Sequence, residues 1–393
     1  MRYNCLYLIF KESRFVKIAI VANTSWNIYN FRLNLIHFFL AHKYEVVCIA
    51  PVDRHTEALT TLPVTFVPVE IDSKGNNPIK DARLVGKFLS IYKKHKPDVI
   101  LQYTIKPNIY GTLAAKLCGI PTINTVTGLG TVFLHDTCIT RLAQQLYAFS
   151  FKFATVAVFQ NEDDRDIFVQ KRIITHAKTQ IIKGSGVNTT HFIPAKTYSK
   201  AFAFLMVARL LYDKGIREYA QAAKCLHEQH GNNVQCLLIG AIDSDKQLGI
   251  NKEDVHAWAN RHHLIYKPFD TAILKEYQQA NVVVLPSYRE GLSKSLLEAG
   301  ACGKPLIASN VSGCKEIVID NWNGYLCEAK DAGNLFDKMN LMLETSPEQL
   351  AEMGKNSRDF IEQNFSDKII SNDYFYLIKR VTESKKTNTN DIH

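Results

Sequence analysis

No two of the nine cysteines form a C-x-x-C pair, and none shares a metal-ligand spacing with a histidine. That argues against a zinc module or a disulfide framework and fits reduced, scattered thiols. No stretch approaches the ~20 apolar residues of a membrane span. The opening MRYNCLYLIFKESRF has a short apolar run but neither the h-region nor the cleavage site of a secretory signal. The chain is therefore expected to be cytoplasmic, free or peripheral on the inner face of the membrane. RNA-reading aromatic clusters and a helix-turn-helix signature are also missing, so nucleic acid is not an expected partner. What is present is a modest basic excess, 47 Lys and Arg against 38 Asp and Glu, for a formal net charge of +9. It favours nucleotides, phosphates or acidic headgroups without choosing among them. With 393 residues, 46 % of them apolar, the chain can build two or three cores.

Strand and helix patterns alternate. VKIAIVAN (16–23), YEVVCIAP (44–51), VTFVPVE, PDVILQY, TINTV and TVAVFQ read as buried parallel strands. Helical patterns separate them: 30–43, DARLVGKFLSIYKKH, NIYGTLAAKLCG, 139–153 and DDRDIFVQKR. The alternation pauses at KGSGVNTTHFIPAKTYSK (183–200), a linker by composition, and then restarts with AFLMVAR, NVQCLLIGA, HHLIYKP, NVVVLPS and PLIAS. An α/β fold follows, with two Rossmann-like doubly wound domains facing a central cleft. The expected boundaries are 1–187 and 188–365. A C-terminal helix over 366–382 should pack back on the first domain, ahead of a polar, disordered tail over 383–393.

The chemistry concentrates in SYREGLSKSLLEAGACGKPLIAS (287–309). Glu290 sits in a strand-to-helix loop. Glu298 lies more than one turn into the following helix, which Ser293 is placed to cap. The free N–H groups at that helix start suit a phosphate. Upstream, VARLLYDKG (207–215) follows the first strand of the second half and opens a helix, so Arg209 and Lys214 stand where two cations meet a diphosphate. On pattern alone, solvated surface loops explain both segments equally well.

Taken together, VARLLYDKG, PSYREGLSKSLLEAGACGKPLIASNVSGCKEIV and NWNGYLCEA closely resemble the retaining nucleotide-sugar glycosyltransferases of family 4, which have the GT-B fold. VANTSWNIYNFRLNLI and YTIKPNIYGTLAAKLCGIPTINTVTGLG resemble its bacterial surface-polysaccharide and lipid-linked oligosaccharide members. The resemblance spans roughly 16–380. It implies that Glu290 faces the donor sugar's hydroxyls, that Arg209 and Lys214 neutralise the leaving diphosphate, and that Glu298 accepts from the ribose. It places the backbone of Gly291, Leu292 and Ser293, with Gly186 and Lys267, on the donor side. Lys106, Asn108, Thr127, Asn27 and Arg32 fall on the acceptor side. Developing charge on the leaving phosphate would be met by preorganised cations and helix N–H groups, so neither metal nor cofactor is expected.

Asp243-Ser244-Asp245 has the spacing that binds manganese in another glycosyltransferase fold, but its context reads as a polar loop. The chain departs from the family pattern in several places. Tyr103-Thr104-Ile105-Lys106 replaces a common histidine. NTSWNIYN lacks the usual glycines. Ser293 stands where proline is common, and Pro268 where glycine is usual. The resemblance implies transfer of a hexose or N-acetylhexosamine from a nucleotide diphosphate donor, UDP first, to a polyprenyl-diphosphate-linked saccharide. The aromatic helix 139–153 and the basic helix 83–96 could form a basic, apolar surface for lipid-linked acceptors, but a core helix and a solvated charge run explain them more simply. A nucleotide-sugar 2-epimerase or hydrolase of the same fold is the alternative, with a non-catalytic nucleotide-sugar binding subunit behind it.

Overall fold

The computed structural model describes residues 15–72, 75, 77–129, 138–195, 201–242, 249–269 and 272–390. A seven-stranded sheet contains β1 (Lys17–Val21), β2 (Glu45–Ala50), β3 (Thr65–Pro68), β4 (Val99–Tyr103), β5 (Thr122–Val126), β6 (Val156–Phe159) and β7 (Thr179–Ile181). Its order is β3-β2-β1-β4-β5-β6-β7. A six-stranded sheet contains β8 (Phe202–Val207), β9 (Val234–Ile239), β10 (Leu264–Lys267), β11 (Val282–Leu285), β12 (Leu306–Ser309) and β13 (Gly324–Cys327), in the order β10-β9-β8-β11-β12-β13. The strand registers are parallel in both sheets.

Helices return the chain between strands. In the first half they are α1 (Ser25–Ala41), α2 (Thr56–Thr60), α3 (Pro78–His95), α4 (Thr112–Leu117), α5 (Cys138–Phe151) and α6 (Glu162–Gln170). In the second they are α7 (Ile216–His230), α8 (Lys252–Arg261), α9 (Ile273–Gln279), α10 (Lys294–Ala301), α11 (Ala332–Glu344), α12 (Pro347–Asn364) and α13 (Asp367–Asn390). By internal contact the residues form two compact units. One is Met1–Thr125 with Phe149–Val156 and Leu377–His393; the other is Val126–Ala148 with Ala157–Tyr376.

Central strands read as unbroken apolar runs because helices cover both faces. Ile18 to Val21 and Val282 to Leu285 are at most 2 % exposed. Helix starts follow capping chemistry rather than the apolar pattern. Helix α1 begins well before residue 30 because the Thr24 hydroxyl accepts from Asn27 N at 3.0 Å. Asn161 caps α6, and Glu162, Asp163 and Asp164 fill its first turn, where acids complement the helix dipole. The last helix runs past residue 382, although the polar sequence there reads as tail. Thr382 and Ser384 turn their hydroxyls onto the carbonyls of Ile378 and Arg380, at 2.9 and 2.8 Å, so polarity does not end the helix. Strand β7, three residues long, is too short to announce itself by pattern, and β13 opens on Gly324, which breaks the apolar run.

Candidate active site

The carboxyl ends of β8 and β11 build the centre of the site in the second unit. After β8 the chain makes a tight turn, Tyr212–Lys214, ending at Gly215 with φ +73°. A Cβ at Gly215 would lie 2.0 Å from the Pro286 carbonyl, so only glycine permits this approach. Tyr288 N and the Ser287 hydroxyl both donate to Asp213 O, at 2.8 and 3.1 Å. These bonds tie the turn to the loop after β11 and close a gap of 76 residues: Lys214 Nζ reaches Glu290 Oε1 at 2.8 Å. The two side chains are only 13 % and 16 % exposed. Burial alone would push Lys214 down. The Glu290 carboxylate, Asp213 and the hydrogen bond outweigh it, even against Arg209, and hold the ammonium above the ordinary lysine range. Arg209 is exposed two residues beyond β8.

The rest of the Glu290 loop is pinned from two sides. Glu290 N donates to Ser312 O and Ser293 N to Gly313 O, both at 3.0 Å. From the start of α6, Asn161 Nδ2 donates to Gly291 O at 2.7 Å and Arg289 Nη2 to Asp164 Oδ1 at 2.5 Å. A Cβ at Gly291 would come within 2.3 Å of the Thr127 carbonyl. Asp163 takes the Ser312 hydroxyl at 2.5 Å and Lys315 Nζ at 2.7 Å. The Lys315 and Ser312 hydrogen bonds hold Asp163 below the usual carboxylate range, whereas burial pushes Asp164 up against the pull of Arg289.

Glu298 lies on α10, which Ser293 caps by accepting from Leu296 N at 3.3 Å. It is 9 % exposed. Tyr277 donates to its Oε2 at 3.1 Å, and Lys294 Nζ stands 3.5 Å from Oε1. Burial raises its carboxyl above the usual range, and Lys294 and Tyr277 offset only part of that.

The structure thus brings Lys214, Glu290, Gly291, Leu292, Ser293 and Thr127 into one cluster. Ser293 differs from the sequence expectation, because its N–H is spent on Gly313. No described residue accepts from Gly291 N or Leu292 N. Gly186 packs against the Asp367 backbone at the start of α13, while its neighbour Gly184 meets the Leu292 side chain. Lys267, at the end of edge strand β10, is held by both Glu276 oxygens at 2.9 and 3.0 Å. In the first unit Lys106 donates to Asp81 Oδ1 at 2.6 Å and to Gly75 O at 2.8 Å. Asn108 is 1 % exposed and donates to Thr125 O at 2.9 Å, which places it in the interior. Asn27 and Arg32 lie on α1. Asp243-Ser244-Asp245 falls outside the described residues. Among the described residues no group of three or more His, Cys, Asp or Glu could hold a metal ion.

Sequence reasoning missed Asn161, Asp163, Asp164, Tyr277 and Ser312. Only Asn161 carried a legible signal, a cap residue followed by three acids at the end of a strand.

Two parallel sheets with this alternation define the class. The fold is that of GT-B glycosyltransferases: a glycosyltransferase from Rickettsia africae superposes with a TM-score of 0.80 at 17 % identity, covering 94 % of this chain and 99 % of that one. HepE of Anabaena, solved with UDP and glucose, gives 0.77 at 18 % identity, covering 93 % and 99 %. The chain matches "Glycosyl transferases group 1" over residues 188–360 and "Glycosyl transferase 4-like" over 17–161. It belongs to this glycosyltransferase family and is a transferase. A curated relative from Campylobacter jejuni, N,N'-diacetylbacillosaminyl-diphospho-undecaprenol alpha-1,3-N-acetylgalactosaminyltransferase, is 28 % identical over 94 % of this chain and all of its own length. UDP-Gal:alpha-D-GlcNAc-diphosphoundecaprenol alpha-1,3-galactosyltransferase of Escherichia coli is 27 % identical over 78 % of this chain and 79 % of its own.

Proposed function

We propose that the chain is a retaining, metal-independent hexosyl- or N-acetylhexosaminyltransferase. It moves a sugar from a UDP-linked donor to a polyprenyl-diphosphate-linked saccharide in surface glycan synthesis. The observation that carries this reading is the shielded Lys214–Glu290 pair at 2.8 Å, set between the ends of β8 and β11. The two curated relatives, whose names specify diphospho-undecaprenol acceptors, support the acceptor class.

In this reading Lys214 and exposed Arg209 meet the diphosphate, and Lys214 also fixes the Glu290 carboxylate toward the sugar hydroxyls. Gly291 N, Leu292 N and the start of α10 supply neutral donors. Glu298 meets the ribose. Attack by the acceptor hydroxyl forms the new bond at the anomeric carbon on the face the diphosphate leaves. The bond from that carbon to the β-phosphate oxygen breaks, and the hydroxyl proton passes to the leaving phosphate. Cations preorganised in a poorly hydrated pocket stabilise that charge more than water does.

The test is a panel of UDP- and GDP-sugars with a prenyl-diphosphate saccharide, with and without chelator, reading the product's anomeric configuration. An α-linked product from an α-linked UDP-sugar, insensitive to chelator, is expected. An inverted linkage overturns retention, chelator-dependent loss overturns metal independence, and release of free sugar or an epimer without acceptor favours the hydrolase or epimerase.

No helix among the described residues is long and apolar enough to cross a membrane. The first unit has an exposed apolar and basic patch: Leu117 (69 % exposed), Phe149 (52 %) and Phe153 (38 %), with Lys116 Nζ 5.8 Å from the Phe153 ring. This composition supports a peripheral face for anionic lipid. Replacing both phenylalanines by alanine should reduce co-sedimentation with anionic vesicles; unchanged binding would remove this face from the reading.

A further inference from the structure

Helix α1 turns Ile28, Leu35, Ile36 and Phe39 to the core, each at most 5 % exposed. Arg32 falls in the same stripe, one turn from Ile28 and from Ile36, and is itself 2 % exposed. A cation at this position of a helix is anomalous. Its guanidinium lies 3.8 Å over the centre of the Tyr103 ring. No described residue accepts a hydrogen bond from any of its nitrogens, and Nε is sealed from solvent without a partner. Stacking on one ring does not replace the hydration that a guanidinium loses on burial. The side chain is therefore held ready for an anion that the fold does not supply.

The position of this cation indicates which anion. Tyr103 ends β4, and α1 follows directly from β1. Strands β1 and β4 are neighbours in the sheet, with β2 continuing to one side and β5 to the other. That is the switch point of an open parallel sheet, where the crevice outside the strand ends takes ligands. The residue after Tyr103 is Thr104 with φ +69°, a left-handed conformation that a β-branched residue rarely adopts. Backbone strain of this kind gathers where a fold positions a ligand. A guanidinium presents a planar fork of donors matched to phosphoryl oxygens.

We propose that Arg32 forms the cationic end of an oxyanion subsite at the β1/β4 switch point, which receives a phosphate of the acceptor's diphosphate. The acceptor assignment rests on the function proposed above; the subsite itself rests on Arg32. Free pyrophosphate shares the same chemistry, so the experiment separates the two sources.

The full chain is saturated with UDP, which occupies the donor site, and melted with and without millimolar pyrophosphate. Pyrophosphate should raise the wild-type Tm by about 2 °C or more. Arg32→Met should abolish that shift, and Arg32→Lys should retain part of it. Without pyrophosphate, Arg32→Met should melt at or above the wild-type temperature, because it removes a buried cation that lacks a partner. In turnover, Arg32→Met should raise KM for a prenyl-diphosphate saccharide at least ~10-fold and leave KM for the donor within about twofold. An equal pyrophosphate shift in wild type and Arg32→Met overturns the subsite. So does a large drop in the unliganded Tm with unchanged acceptor KM, which would make Arg32 a core residue. If Arg32→Met does not fold, Arg32→Lys carries the same comparison. A pyrophosphate shift that depends on Arg32, with acceptor KM unmoved, keeps the subsite and overturns the acceptor as its ligand. Because the melting arm needs no turnover, it can fail or succeed independently of the proposed transfer reaction.

Discussion

Replacing Lys214 by methionine removes one charge of the Lys214–Glu290 pair and keeps most of the side-chain volume. At 2.8 Å the two charges attract by about 6 kcal/mol with an effective dielectric near 20. Burying both charges cancels most of that, so a double-mutant cycle with Glu290→Gln should show a coupling of roughly 1–3 kcal/mol. In the single variant Glu290 is left shielded without its cation, so Lys214→Met should be less stable than the double variant. The same ammonium is assigned to the diphosphate. Its loss should weaken UDP binding about 10- to 100-fold, which is roughly 1.4–2.7 kcal/mol, while uridine binding changes less than about twofold. Chemical denaturation reads the first effect and calorimetric titration of UDP and uridine the second. Equal losses for the two ligands would refute the diphosphate role. A coupling near zero would refute the structural one. The Lys214 side of the pair should fade in strong base. Lys214 binds its proton more tightly folded than unfolded, so its stabilisation is complete below the unfolded lysine value and is lost as pH rises through the higher folded one.

Glu290→Ala should lower kcat at least ~100-fold if its carboxylate acts in the transition state, and near-normal turnover would sink that assignment. Glu298 keeps its proton more tightly folded than unfolded, so its contribution favours the fold at low pH and is lost as pH rises through the raised value. Glu298→Gln should therefore gain Tm relative to wild type at pH 7, with the gap closing toward pH 4, while nucleotide affinity falls; a gap independent of pH contradicts this. Asn161→Ala removes the 2.7 Å bond to Gly291 O together with the α6 cap on Asp164 N, so kcat should drop about 10-fold with the fold intact by circular dichroism. Unchanged kcat would show that the loop is held without it. Lys304, 3 % exposed with Nζ 2.8 Å from Gln278 O, is pushed by burial down to about 8 from 10.5. Its depressed value adds stability above the unfolded lysine value, and that stability is lost as pH falls through about 8. Lys304→Met should then gain up to about 3 kcal/mol at pH 7 and nothing near pH 11, as urea unfolding at the two pH values would read.

The chain order of strands and helices, and with it the fold class, was legible because each strand is a continuous apolar run and each helix has its own period. The positions of Glu290, Glu298, Arg209 and Lys214 at strand ends and on a helix start were legible for the same reason, since placement along an element is a local property. Partnership was not. That Lys214 pairs with Glu290 depends on a turn that only Gly215 allows against the Pro286 carbonyl. That Asn161 and Asp164 hold the Glu290 loop depends on bonds spanning 130 and 125 residues. Asn108 and Arg32 show the other side of this limit. The resemblance put both on the acceptor side, yet one is spent on Thr125 in the interior and the other lies buried over Tyr103 without a hydrogen bond. Burial and partner choice are set by what packs on a side chain from distant parts of the chain, and no periodicity records that. The sequence determined which groups stand at the strand ends; the tertiary structure decided which of them face each other and which are packed into the interior.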